Sequence, residues 1–168
     1  MPNSKTQDAI ALLKADHRKV EELFEKYERA RSKKAEIARQ ICMELTIHTM
    51  IEEEIFYPAC RKAGVDSDRM DEANVEHDGA KSLIAELENG TPGDAFYDAK
   101  VKVLSEEIEH HVKEEERPAE GMFAQCRKTE VDLVELRDRM LARKEELMAQ
   151  AEAGGLPPAK LTAVEASA

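Results

Sequence analysis

Two histidine–carboxylate pairs in the sequence have a spacing that could bind a metal ion. Glu52 follows His48, and Glu115 follows His111, by four residues in each case. In an α-helix, side chains at positions i and i+4 lie one above the other on the same face. An imidazole and a carboxylate in that arrangement could coordinate one transition-metal ion together. Each pair alone is a weak signal, so the surrounding pattern has to decide.

Two further histidines, His17 and His77, interrupt apolar stripes of helical period. The stripes cover 10–27 and 70–87 in steps of three and four residues, and both histidine–carboxylate pairs lie in similar stripes. This period is typical of the core-facing side of a bundle helix. A lone buried histidine is usually a hydrogen-bonded core residue, but a buried carboxylate has to be paired. No lysine or arginine occupies these stripes to neutralise the carboxylates.

Four histidines and two carboxylates in one core therefore require cations. Six ligands are too many for one tetrahedral ion but suit two octahedral ions, with the carboxylates and a solvent-derived oxygen as bridges. Each ion then keeps one open position, where small molecules could react. Imidazole and carboxylate without thiolate favour iron, or secondly manganese, over a structural zinc or calcium site. The predicted metal ligands are His17, His48, Glu52, His77, His111 and Glu115.

Five helical segments must position these ligands. The first three are predicted over about 4–31, from after Ser32 to Gly64, and from after Ser67 to Asn89. The fourth opens at Thr91, with a proline at the first helical position, and is disturbed near 118–121. The fifth starts at Thr129 with a capping box and ends before residue 154.

The fold class predicted from these segments is all-α, an up-down-up-down four-helix bundle with an additional C-terminal helix. A weak internal repeat relates 16–27 to 76–87 and 48–62 to 111–128, as expected for two helix pairs around a pseudo-twofold axis. At about 1.5 Å per residue, His17 and His48 lie at similar heights in an antiparallel pair. The predicted organisation is a metal-binding domain over 1–127, a C-terminal helix over 128–152 and a disordered tail over 153–168.

Composition and charge exclude several classes of protein. The 168 residues carry a formal net charge of −11, which argues against nucleic acid or an anionic membrane as partner. The sequence contains no run of about 18 apolar residues and no apparent signal peptide. Cys42, Cys60 and Cys126 form no CxxC motif. We expect free thiols that serve as packing residues in a cytoplasmic protein.

The order His, His-x-x-x-Glu, His, His-x-x-x-Glu resembles the hemerythrin-like (HHE cation-binding) domain family over about 8–127. Flanking stretches match as well, namely Asp16-His17, HTMIEEEIFYP, Glu76-His77 and HVKEEE. The resemblance implies a non-haem di-iron centre inside a four-helix bundle, with the six predicted residues as ligands. It also implies binding of, sensing of, or reaction with dioxygen, peroxide or nitric oxide. A ferritin-like centre would need Glu-x-x-His on two helices, and only 107–110 fits.

The chain departs from the pattern of oxygen-carrying hemerythrins in two ways. Those proteins have a second histidine one turn before His77, where Ala73 stands here, while Lys81 stands one turn after it. They also have an aspartate at the position of Glu115. The missing imidazole opens a coordination position, which argues against reversible oxygen carriage. A binding or sensing protein and a catalase-like or oxidase enzyme both stay open, and a metal-free helical adaptor is a third class.

Other residues have simpler interpretations. His110 lies about 100° away from the stripe and is expected to face solvent or to support a ligand. Tyr27, Tyr57 and Tyr97 are expected not to be ligands, because each lies nine or more residues from its stripe histidine, unless a kink near Pro58 moves Tyr57. An apolar stripe on the C-terminal helix could cap the bundle or form a homodimer contact. The glutamates expected to be solvated are Glu53, Glu54, Glu114 and Glu116.

Overall fold

The computed structural model describes residues 8–163 and is built from helices. The predicted helix start at Ser4 and the last five residues of the predicted disordered tail lie outside the described residues. The helices are α1 (Ala9–Arg29), α2 (Lys34–Ile51), α3 (Tyr57–Lys62), α4 (Ser67–Glu88), α5 (Tyr97–Glu116), α6 (Met122–Arg127) and α7 (Leu133–Ala153), with a π-helical segment (Glu52–Phe56) joining α2 to α3.

Four long helices close a bundle, as predicted. Helix α1 packs against α2, α2 against α4, α4 against α5, and α5 back against α1. Short connections between sequential helices give the up-down-up-down order of an antiparallel bundle. Helix α7 lies outside this ring and packs against α1 and α2. No helix within residues 8–163 is long and apolar enough to cross a membrane.

Aspartate side chains cap three of the helices. Asp8 accepts a hydrogen bond from the Ala11 N–H at 2.9 Å, which starts α1 at Ala9. Asp66 caps α4 through the Asp68 N–H. Asp132 is itself the N-cap of α7, because its side chain accepts from the N–H groups of two following residues. The predicted start of this helix at Thr129 is therefore wrong.

The start of α5 is also later than predicted. The sequence indicated an N-cap at Thr91, but the helix begins at Tyr97. The Asp94 side chain accepts from the Thr91 N–H at 2.8 Å, while the Asp94 N–H donates to the Thr91 carbonyl at 2.9 Å. These two bonds close a separate turn before the helix. The predicted disturbance after α5 is confirmed, since the helix ends at Glu116 and α6 begins at Met122.

The π-helical segment begins at Glu52, the carboxylate of the first predicted ligand pair. The Tyr57 N–H donates to the Glu52 carbonyl, a span of five residues instead of four. Pro58 follows at once, and a proline ring inside a helix clashes with the carbonyl four residues earlier. Widening the preceding turn relieves that clash. As a result, Tyr57 lies on the same face of the helix as Glu52.

Two apolar clusters fill the bundle, one on each side of a polar layer. Helix α1 shows the arrangement: Ile10 and Leu13 belong to the first cluster, His17 lies in the polar layer, and Val20 and Phe24 belong to the second. The first cluster also contains residues from α3, α6 and α7, including Leu136, Met140 and Leu147. The apolar stripe of α7 therefore packs inside this chain.

Candidate metal centre

The polar layer brings together the six predicted ligand side chains, all of them 0–5% exposed. Each of the four bundle helices contributes one histidine at the same depth. The rings of His17 and His48 are 4.9 Å apart between centroids, and those of His77 and His111 are 4.7 Å apart. The predicted similar height of His17 and His48 is confirmed.

Glu52 faces both histidine pairs at once. Its Oε1 lies 2.5 Å from His48 Nε2 and 4.0 Å from His17 Nε2. Its Oε2 lies 3.3 Å from His77 Nε2 and 3.9 Å from His111 Nε2. One carboxylate therefore presents a different oxygen to each pair.

Glu115 repeats this arrangement from the opposite helix. Its Oε2 lies 3.3 Å from His17 Nε2, and its Oε1 lies 3.2 Å from His111 Nε2. Two adjacent groups of possible ligand atoms result. One consists of His17, His48, Glu52 and Glu115, and the other of Glu52, His77 and His111.

The residues of the first group fit a bound cation. Among the described residues, none forms a hydrogen bond with His17 Nε2, His48 Nε2, Glu52 Oε1 or Glu115 Oε2, although all four atoms are buried. The 2.5 Å contact between His48 and Glu52 lacks hydrogen-bond geometry. Buried nitrogen and oxygen atoms so close together need a proton or a metal ion between them. The donor set of imidazole and carboxylate suits a transition metal.

A ring of outer carboxylates orients the four imidazoles. Each carboxylate can only accept, so the facing Nδ1 must carry the proton, which leaves Nε2 directed at the centre. Hydrogen bonds of this kind are typical behind histidines that bind metals. The pairs are His17 with Glu116 (3.5 Å), His48 with Asp16 (3.2 Å), His77 with Glu53 (3.1 Å) and His111 with Glu76 (3.4 Å).

The outer carboxylates follow the internal repeat. Asp16 precedes one histidine but supports the histidine of the next helix, and Glu76 does the same in the second half of the chain. Glu53 and Glu116 each follow a ligand glutamate and support a histidine of the other half. The prediction that Glu53 and Glu116 are solvated is therefore wrong. Their stripe position points outward, but a neighbouring helix brings a histidine to meet them.

In the described part of the chain, lysine and arginine side chains neutralise three of the four outer carboxylates. Arg18 lies 2.6 Å from Glu116, Lys144 of α7 lies 2.5 Å from Asp16, and Lys81 donates to Glu53 at 2.9 Å. Lys81 also donates to the Lys160 carbonyl in the tail, and the Asp78 carboxylate accepts from the Thr162 N–H. The positive charges therefore surround the centre without reaching its inner atoms.

Charges within the cluster shift the protonation of its members. Burial would raise the pKa of both inner carboxyls, but the surrounding histidines hold that of Glu52 well below its usual range and that of Glu115 at about 2. Burial would lower the pKa of the imidazoles, yet the carboxylates raise that of His48 to about 10 and also raise those of His17 and His111. The centre thus favours ionised carboxylates with positive charge among the rings.

Tyr57 is a site residue that the periodicity did not predict. Its hydroxyl lies 2.6 Å from Glu52 Oε2, 2.5 Å from Glu115 Oε1 and 3.4 Å from Nε2 of both His77 and His111. Burial and the two carboxylates raise the pKa of Tyr57 well above its usual value, so the phenol keeps its proton. The expectation that no tyrosine is a ligand depended on a straight helix, but the π-helical segment beside Pro58 turns Tyr57 inward and brings its hydroxyl to the site. Pro58 was the available signal.

The structure also shows the surroundings of His110, Glu54 and Glu114, which were predicted to lie outside the ligand set. His110 is 68% exposed, with Nε2 3.7 Å from Glu76, so the prediction that it faces solvent is confirmed. Glu54 is exposed and pairs with Arg143 of α7 at 2.8 Å. Glu114 is half-buried at the surface.

Comparisons with known proteins agree with this geometry. A sequence model of the hemerythrin HHE cation binding domain matches residues 8–126. Among solved structures, the crystal structure of a hemerythrin HHE cation binding domain-containing protein from Mycobacterium kansasii is similar, with a TM-score of 0.72 and 26% sequence identity. The match covers 87% of this chain and 90% of that chain. A search of curated proteins finds no match.

Proposed function

The chain belongs to the hemerythrin HHE cation-binding family, and from this premise we propose that it is a non-haem di-iron protein that binds, senses or reacts with dioxygen, peroxide or nitric oxide. The observation that carries the proposal is the placement of Glu52 and Glu115. Each carboxylate directs one oxygen to the His17–His48 pair and its other oxygen to the His77–His111 pair. When bound, two iron ions would supply redox chemistry and open coordination positions for a small ligand.

The chain's own residues would hold the two ions in different surroundings. His17 and His48 would hold one ion, His77 and His111 would hold the other, and each carboxylate would contribute an oxygen to either side. Tyr57 lies on the side of His77 and His111, since its hydroxyl contacts both. The outer carboxylates would keep each imidazole in the tautomer that directs Nε2 inward.

A surface groove offers a small ligand an approach to the centre. The groove lies between α1 and α5 and has a volume of about 670 Å³. Ile108 and Val112 form part of its floor and also line the small internal void beside the four histidines. Movement of these two apolar side chains would open a narrow passage that admits a diatomic molecule or peroxide. A passage of that size would be too small for larger substrates.

One observation favours the second candidate, an enzyme that disproportionates hydrogen peroxide or acts as an oxidase. Disproportionation benefits from a hydrogen-bond donor that orients peroxide beside the metals. Tyr57 is such a donor, because its protonated hydroxyl lies between the two carboxylates. Tyr57→Phe should then slow oxygen release from peroxide by about 10²-fold while leaving the bound metal in place. Tyr97→Phe, in the second apolar cluster, is the matched control.

Metal analysis with an optical spectrum tests the proposed function. We expect two iron ions per chain in freshly purified protein and a near-ultraviolet absorption that changes when peroxide is added. An oxygen electrode then separates the two candidates, since disproportionation releases oxygen and binding alone does not. Protein that carries no metal, or only zinc without this absorption, would overturn the proposal.

A further inference from the structure

Two buried cysteines meet beside the metal centre in a position that the proposed metal chemistry does not use. Cys60 of α3 and Cys126 of α6 have their Sγ atoms 2.9 Å apart, and both side chains are 0% exposed. An S–S bond measures about 2.0 Å, so a small movement would join the two sulfurs. Both thiols are free in the structure.

The internal repeat explains why these sulfurs meet. Aligning 48–62 with 111–128 makes Cys60 equivalent to Cys126, and each is followed by Arg-Lys. Equivalent residues of two halves related by a twofold axis face each other when they lie near that axis. Cys42 has no such neighbour and lies in the other apolar cluster. The contact between the two sulfurs is therefore a consequence of the twofold architecture. The sequence analysis expected both cysteines to be packing residues and did not predict that they meet.

We propose that Cys60 and Cys126 form a reversible dithiol–disulfide couple that hydrogen peroxide oxidises. The site is separate from the metal ligands, and the inference does not depend on which metal the centre holds. Its oxidant is a small hydroperoxide, because two side chains with no exposed surface exclude a bulky disulfide reagent such as oxidised glutathione.

The reaction balances with peroxide as the two-electron oxidant. The Cys126 sulfur attacks one peroxide oxygen, the O–O bond breaks, and the leaving oxygen departs as water with one thiol proton. The Cys60 sulfur then displaces the second oxygen, which leaves as water with the other thiol proton. Two S–H bonds and one O–O bond are lost, while one S–S bond and two O–H bonds form. Each sulfur is oxidised by one electron, and each peroxide oxygen is reduced by one electron. The sulfur contact supports this order, because Cys60 lowers the pKa of Cys126.

The disulfide would link the two segments that continue from the metal-binding helices. Cys60 follows the π-helical segment after Glu52, and Cys126 follows the break after Glu115. The bond would close a loop across 66 sequence positions. Closing so long a loop restricts the unfolded chain strongly, so the oxidised protein should have a Tm higher by on the order of 10 °C.

Peptide mapping after peroxide treatment tests the proposal on the purified full-length, metal-loaded protein. We expect the intact chain to lose two hydrogen masses and a non-reducing digest to contain one linked pair of peptides bearing Cys60 and Cys126. Dithiothreitol should restore both thiols, and oxidised glutathione should form the link at least 100-fold more slowly than peroxide. Cys60→Ser and Cys126→Ser should abolish the link, while the matched control Cys42→Ser should keep it.

Other results would overturn the proposal. These are three free thiols after a treatment that oxidises methionines, a link that involves Cys42, or sulfinic acid at either residue without any link. The map of the unmodified chain decides between these outcomes, so the test holds even if a cysteine variant fails to fold. Loss of metal binding would not change the expected link, which separates this inference from the proposed function.

Discussion

His110 and His111 are neighbours in the sequence but differ in what they contact. His111 directs Nε2 to Glu115 at 3.2 Å, whereas His110 is 68% exposed. We expect His111→Ala to lose at least one metal ion per chain and the associated near-ultraviolet absorption. His110→Ala should keep both ions and change reactivity by about 10–100-fold at most. Elemental analysis of the two variants, purified side by side, makes the comparison. If His110→Ala lost the metal instead, the assignment of ligands on α5 would be wrong.

Glu53 and Glu54 form a second matched pair. Glu53 accepts from His77 Nδ1 at 3.1 Å, while Glu54 pairs with Arg143 at the surface. Glu53→Gln keeps an oxygen that can accept from His77 but removes the negative charge that fixes the tautomer of His77 and raises the basicity of its imidazole, so metal affinity should fall by about 10–100-fold. Glu54→Gln should leave the affinity unchanged within about twofold, because an exposed ion pair contributes little. Competition with a metallochromic chelator measures both. Equal affinities in the two variants would show that the outer ring has no effect on the ligands.

At the residue scale, the sequence predicted the six side chains that meet in the polar layer but not the carboxylates that support the histidines. A histidine or glutamate at a core-facing position of an apolar stripe is unusual, so His17 and Glu52 can be identified from the sequence. Glu53 and Glu116 face away from the apolar stripe of their own helix and each contacts a histidine of another helix. The apolar period of one helix does not show which residues of a neighbouring helix pack against it, so these two contacts could not be predicted. The position of Tyr57 was not predicted for a different reason, because a π turn changes the helical period from which residue positions are calculated.

The π-helical segment is the element whose length the site depends on. A π turn behaves as one extra residue in a regular helix, so removing one residue restores the α period and keeps both flanks in phase. Deletion of Glu54 combined with Pro58→Ala, which removes the ring that would clash with the restored turn, should therefore retain metal binding. It should lower the free energy of unfolding by no more than about 1 kcal/mol relative to Pro58→Ala alone, the cost of the Glu54 ion pair with Arg143. Glu54→Ala in the same Pro58→Ala background serves as the control for loss of the side chain. Urea denaturation and elemental analysis give the two measurements.

A deletion in a regular helix should behave differently. Glu22 is exposed in the middle of α1, and its removal would turn Phe24 and Tyr27 by about 100° out of the second apolar cluster. Misplacing two large buried side chains should cost about 3–5 kcal/mol or prevent folding. Similar losses for the two deletions would mean that Glu52–Phe56 does not act as an insertion.

Element types were easier to predict than element boundaries. The apolar period indicates a helix over many residues, whereas a boundary depends on one or two capping bonds. The start of α5 was misplaced because Asp94 closes a turn with Thr91 instead of entering the helix. Helix α7 packs against α1 and α2, as a capping helix would. The predicted domain boundary at 127 and the predicted homodimer contact through α7 stay predictions.

At the scale of the whole molecule, the polar layer crosses all four bundle helices. If it holds the proposed ions, their removal would leave Glu52 and Glu115 buried without counter-charge, apart from protons on the histidines. At a free metal concentration of about 1,000 Kd, binding to the folded state alone adds about 4 kcal/mol to the free energy of unfolding. Chelation should therefore lower the Tm, as differential scanning calorimetry would show. An unchanged Tm after chelation would contradict a buried centre. Glu54→Gln protein keeps all the predicted ligands, so its Tm should fall on chelation by the same amount and it serves as the control.

The separation of the apolar core into two clusters has a consequence for cooperativity. Helices α1, α2 and α4 contribute buried apolar residues to both clusters, and within residues 8–163 the polar layer lies between the clusters. With metal bound, the layer ties both halves together and the chain should melt in one transition, with equal calorimetric and van't Hoff enthalpies. Without metal, the half containing α3, α6 and α7 and the half containing Phe24 and Leu104 should become separate cooperative units. Hydrogen exchange on metal-free protein should then give two distinct opening free energies, and bound metal would determine whether the molecule unfolds as one body or as two.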